Sequence, residues 1–119
     1  MDFTLLEHAA LLTIFTETPE FADSLRYQLE GASVENRENT GAGFFTTITV
    51  PASSERVACP TVLGNRTHAR VYGLKYGLGF VLFMQDGRLH LLEGYSCGDE
   101  DTTNLPLFDL TFQITETPF

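Results

Sequence analysis

The 119-residue chain carries 16 acidic residues against 7 basic ones, a formal net charge of −9, with 43% hydrophobic residues and two cysteines. That length and composition fit a single domain, 1–119, able to bury roughly two-thirds of its unfolded surface without a disulfide or metal staple. The acidic balance excludes a basic nucleic-acid footprint and disfavours docking on anionic membranes, while it attracts a basic protein partner. The charge is also uneven, with net −6 in residues 1–40, net +3 in 41–92 and net −6 in 93–119.

The first residues, M-D-F-T-L-L-E-H, lack a basic start and place Asp2 and Glu7 where a secretory leader would be apolar. The expectation is a cytoplasmic, bacterial-type protein with reduced Cys59 and Cys97. Asp2 or Thr4 can cap a first helix running to about Phe15, because Leu5, Leu6, Ala9, Ala10 and Leu12 recur at helical spacing. Leu11 and Ile14 widen its apolar arc, which predicts deep burial.

A second helix is signalled by Thr18 as N-cap, Pro19 at the first position and Glu20 at the positive end of the dipole. Phe21, Leu25 and Leu29 form its stripe beside Ala22, and Gly31 stands where a left-handed C-terminal residue is wanted. From Ala32 the period changes to two. Val34–Glu38 and Phe44–Val50 read as strands about the turn 39–43, with Phe44, Thr46, Ile48 and Val50 on one face and Phe45, Thr47 and Thr49 on the other. Prolines near both ends make Pro51–Asn65 a long loop.

Between Arg66 and Tyr76 alternation returns, with Thr67, Ala69 and Val71 on one face and Arg66, His68, Arg70 and Tyr72 on the other. Gly73, Gly77 and Gly79 then permit a bulge or bend. Leu78 to Tyr95 is the strongest local signal in the chain. Two apolar runs flank Asp86-Gly87, the residues that a two-residue hairpin turn with positive φ demands. An unbroken ladder pairs Gln85 with Arg88, Met84 with Leu89, Phe83 with His90, Leu82 with Leu91, Val81 with Leu92 and Phe80 with Glu93. Both faces of this ribbon are apolar, which predicts a central place in the sheet with one face on helices and the other on a partner or a curl of the sheet. An acidic loop over 96–104 follows. Beyond Pro106, Phe108, Leu110, Phe112 and Ile114 face inward while Asp109, Thr111, Gln113 and Thr115 face out. The chain therefore reads as α+β, an N-terminal helical pair packed on a curved, mainly antiparallel sheet of about six strands.

Chemistry is sparsely signalled. In the unbroken register Glu93 shares a face with Leu82 and Leu91, so desolvation would raise its pKa and fit it for acid–base work. Cys97 lies near His90 and Asp99, but Asp99, Glu100 and Asp101 disfavour the thiolate a nucleophile needs. Those three adjacent carboxylates lack the spaced oxygens of a cation loop, and His8, His68 and His90 lack zinc spacing, so no metal and no cofactor is expected. Arg66, His68 and Arg70 form the one clustered positive row, a candidate anion site. Without a catalytic motif, the residues favour a non-catalytic acidic protein-binding module over an enzyme. Immunity proteins and antitoxins, which neutralise basic toxins or nucleases, are of this class. Glu93, Tyr95, Asp99, Glu100 and Asp101 would make the contacts. The alternative is a small-ligand domain or small enzyme whose pocket, between helices and cupped sheet, is lined by His90, Glu93 and Tyr95. A homodimer burying the second sheet face is a further possibility.

Overall fold

The computed structural model describes residues 1–107 and 109–115. Helix α1 (Leu5–Thr16) begins on Thr4, not Asp2. Thr4 Oγ1 accepts the Glu7 N–H at 3.0 Å and Glu7 Oε1 accepts the Thr4 N–H at 2.8 Å, a reciprocal capping box. Leu6, Ala10, Leu11, Ile14 and Phe15 are buried as the wide arc predicts. Leu5 is not: it is 83% exposed, and Glu7 occupies the buried face in its stead. A sequence apolar on nearly every side leaves the choice of face to tertiary partners, and Glu7 has strong ones.

The second helical segment enters through a 3-10 turn at Pro19–Phe21, with Pro19 at its start, and continues as α2 (Ala22–Glu30). Thr18 makes no side-chain cap; its hydroxyl instead donates back to Phe15 O at 3.4 Å. Gly31 follows α2 with φ −94°, so the left-handed termination read from sequence is not used. The Gly31 and Ala32 N–H groups bond Gln28 O and Leu29 O, and the chain passes straight into a strand.

The strands are β1 (Ser33–Asn39), β2 (Gly43–Thr49), β3 (Val62–Leu63), β4 (His68–Val71), β5 (Leu78–Gln85), β6 (Arg88–Ser96) and β7 (Phe112–Thr115). All pairs are antiparallel, in the order β1-β2-β6-β5-β4-β7. The strand count exceeds the expected six because the segment read wholly as loop contains β3, which pairs with the second half of β5 while β4 pairs with the first. The last strand is shorter than its alternation implied. Phe112 and Ile114 pack on the core from β7, and Phe108 lies outside the described residues.

The β5–β6 hairpin is central and turns at Asp86 (φ 52°) and Gly87 (φ 73°), as the Asp-Gly pair demands. Its ladder is not unbroken. Gln85 and Met84 face Arg88 and Leu89, but Phe83 then faces Leu91, leaving His90 as the extra residue of a bulge. Every later pair slips by one: Leu82 meets Leu92, Val81 meets Glu93 and Phe80 meets Gly94. The cause is the price of a misplaced carboxylate. Without the bulge Glu93 and Tyr95 would turn into the core, and an unpaired buried charge costs several kcal/mol; with it Leu92 and Gly94 turn inward.

Gly94 then does something no larger residue could. It separates Phe44 on β2 from Phe80 on β5, and their rings meet edge-to-face across it at 6.3 Å. A Cβ there would sit 2.3 Å from the Phe44 ring. The helices cover this inner face, where Leu11, Ile14, Phe15, Leu25, Leu78, Leu82 and Leu92 bury almost completely. Gln28 is the polar clasp at one end. Its amide donates to Glu55 O and Gly87 O at 3.0 and 2.8 Å and accepts the Leu89 N–H at 3.0 Å, which ties α2, the 51–61 loop and the hairpin turn together.

Candidate functional site

The bulge decides which side chains occupy the sheet face that the helices leave uncovered. Following the pairings across the strands, one row of that face is Val62, Phe83, Leu91 and Thr47, and the next is Val81, Glu93, Phe45 and Glu38. A third is His68, Gly79, Tyr95 and Gly43. Phe45, Val81, Phe83, Leu91, Glu93 and Tyr95 are all half-buried, and none belongs to the core cluster on the inner face.

Tyr95 has glycine on both neighbouring strands and lies across Gly79, where a Cβ would come within 2.3 Å of its ring. Its phenol is pushed above the ordinary value by burial first and then by the neighbouring Cys97 and Glu93. Glu93 faces Val81 and not Phe80, so it does not share the buried face of Leu82, and the acid–base role that rested on that register loses its basis.

Asp99 and Asp101 are exposed on a loop that is anchored on both sides. Thr102, completely buried, accepts the Gly43 N–H on Oγ1 at 2.9 Å, donates to Asn39 Oδ1 at 3.0 Å and gives its own N–H to Gly41 O. Asp101 accepts the Thr103 hydroxyl and N–H, which hold its carboxyl below the ordinary range. Glu100, also expected as a partner contact, is engaged within the chain. Its carboxylate accepts the Lys75 and Tyr76 N–H groups at 2.8 and 2.7 Å, because a glycine-rich turn leaves those amides in need of an acceptor.

The other candidates separate. Arg66, His68 and Arg70 do not form one cationic row: His68 is 6% exposed with Nδ1 unbonded, Arg66 precedes the strand, and Arg70 opens on a groove of about 410 Å³ beside Tyr72 and Lys75. The pocket proposed between helices and sheet is not formed by His90, Glu93 and Tyr95. Glu93 and Tyr95 point away from the helices, and His90 lines a groove by Ile48, Val50 and Asp86 at the hairpin turn. Burial raises the pKa of both Cys59 and Cys97, which keeps the thiols protonated, and neither cysteine is in a disulfide.

Sequence reading named Glu93, Tyr95, Asp99 and Asp101 as candidates; it did not place Phe45, Val81 and Phe83 beside Glu93, since that neighbourhood depends on the bulge. Among the described residues no helix is long and apolar enough to cross a membrane, and no group of three or more metal-ligating side chains converges. Compared with known proteins, the chain matches no family model, no curated sequence and no solved structure.

Proposed function

We propose that the protein is a non-catalytic binding module that docks a basic protein on the uncovered sheet face. The observation that carries this is the coincidence of half-buried apolar side chains, Phe45, Val81, Phe83 and Leu91, with carboxylates at Glu93 and Glu38 on that same face. Apolar surface on a central hairpin favours coverage, and the acids select a cationic cover. Asp99 and Asp101 stand beyond the Tyr95 end of the sheet and extend the negative field. A small acidic protein that shields a basic toxin or nuclease-like partner in the cytoplasm fits this chemistry. A second copy fits less well, because two acidic faces would repel.

A photo-crosslinking amino acid placed at Phe83 in the native host should capture one discrete basic protein, and one placed at Glu20 should not. The captured protein, once purified, should lose affinity about tenfold or more for the Phe83→Asp variant, as expected for an apolar contact at the centre of an interface. Equal capture from both positions, or binding indifferent to Phe83→Asp, overturns the reading.

A further inference from the structure

Four carboxylates among the described residues are withdrawn from full exposure: Glu7, Glu17, Glu93 and Glu100. Three of them are well supplied with donors. Glu7 takes Arg37 and Thr46, Glu17 takes the Asn65 and Arg66 N–H groups and the Thr67 hydroxyl, and Glu100 takes the Lys75 and Tyr76 N–H groups. Glu93 alone accepts no hydrogen bond. Its cross-strand neighbours are Val81 and Phe45, and Leu91 and Tyr95 flank it along β6 on the same face. The nearest ionisable side chain in its row is another acid, Glu38, beyond Phe45.

We propose that Glu93 is the seat for one basic side chain of the docked partner, an arginine, held over the carboxylate between Tyr95 and Phe45. The inference rests on the docking role of this face. A neutral or acidic cover would bury the carboxylate without a counter-charge, which is strongly unfavourable, whereas a cation turns the same burial into attraction. Arginine suits the site better than lysine. Its planar guanidinium can meet both carboxylate oxygens and stack on the flanking rings, and it gives up water more readily than an ammonium does. A self-dimer with its two-fold axis at Glu93 would bring only a second carboxylate.

The test begins with the isolated protein, ¹³C-labelled at glutamate and aspartate carboxyls, and N-acetyl-arginine methylamide as the probe. The Glu93 carboxyl and Tyr95 ring signals should shift and saturate at several-fold lower probe concentration than the exposed Asp101. The isosteric, uncharged citrulline derivative should leave them in place, and the Tyr95 shift should vanish in Glu93→Gln, a variant that keeps the side-chain shape. If Glu93 moves only in parallel with Asp101, or responds equally to citrulline, the seat is overturned. Against the captured partner, Glu93→Gln should weaken binding about tenfold, the loss of roughly one charged contact. A partner held equally by parent and Glu93→Gln overturns the seat while leaving the docking role intact. Arginine binding at Glu93 with no protein captured at Phe83 overturns the docking role, and with it the assignment of the seat to a docked partner.

Discussion

Glu7 shows how much one side chain can hold. It is 2% exposed, and its carboxylate meets Arg37 Nε and Nη2 at 2.8 and 2.7 Å, Thr46 Oγ1 at 2.5 Å and its own capping amide at Thr4. Helix α1, β1 and β2 are thereby joined at one charge. Burial pushes the Glu7 pKa up, but the bonds from Arg37, Thr46 and Thr4 and the charge of Arg37 outweigh it, and the net value lies below the ordinary 4.5. The Arg37 guanidinium is raised in turn by its bond to Glu7. A depressed carboxylate stabilises the fold above its unfolded value and loses that contribution as pH falls through the folded one. Glu7→Ala should therefore cost about 3–5 kcal/mol at neutral pH by removing the buried carboxylate that Arg37, Thr46 and the Thr4 amide share. Denaturant melts taken from pH 7 downward should show a flatter acid limb below about pH 4.5 in Glu7→Gln than in the parent. Parallel acid limbs would falsify the linkage. The Thr4 cap was legible in the chain, but the buried network was not, because Arg37 and Thr46 lie 30 and 39 residues away.

At the scale of elements, the hairpin was legible and its register was not. Asp86-Gly87 fixes where the chain reverses, because only such residues accept positive φ twice in succession. The His90 bulge is invisible to a count of alternation, since L-H-L-L puts leucine on both faces whichever register is chosen. What sets the register is farther along: Glu93 and Tyr95 avoid the core, and Gly94 lets Phe44 and Phe80 touch. Deleting His90 should then leave all later pairs in place and regularise the ladder. The variant should fold with stability within about 1 kcal/mol of the parent, the range of changes that disturb no buried contact. Inserting an alanine between Leu91 and Leu92 should do the opposite. It would turn Glu93 inward against Phe80 and cost about 3 kcal/mol or more through an unpaired buried charge. Thermal unfolding of the two variants side by side distinguishes this account, which fails if deletion is the more damaging. The same limit explains Gln28 and Thr102, polar residues of ordinary appearance whose partners come from elements up to 63 residues distant.

For the molecule as a whole, part of the net charge of −9 is gathered at the uncovered face and the loop that follows β6. Glu93 and Glu38 lie on the uncovered face, and Asp99 and Asp101 stand on a loop that Thr102 and Glu100 pin to the β1–β2 turn and to residues 75 and 76. On the proposed docking role, charges beside that face would act before contact, by steering a cationic partner over a screening distance of about 8 Å at physiological salt. Their effect therefore belongs in the association rate. Asp99→Lys with Asp101→Lys raises the net charge by four and should slow association with the captured basic partner about tenfold at low salt, with dissociation nearly unchanged. The difference between variant and parent should shrink as salt is raised toward 0.5 M, where screening leaves only short-range contacts. Glu100→Gln weights structure over steering, because it removes one acceptor of the Lys75 and Tyr76 amides but only one charge, a quarter of the double reversal's change. That change should lower the unfolding midpoint and leave the association rate close to the parent's. If the double reversal instead speeds dissociation with no effect on association, the loop acids touch the partner directly and do not steer it.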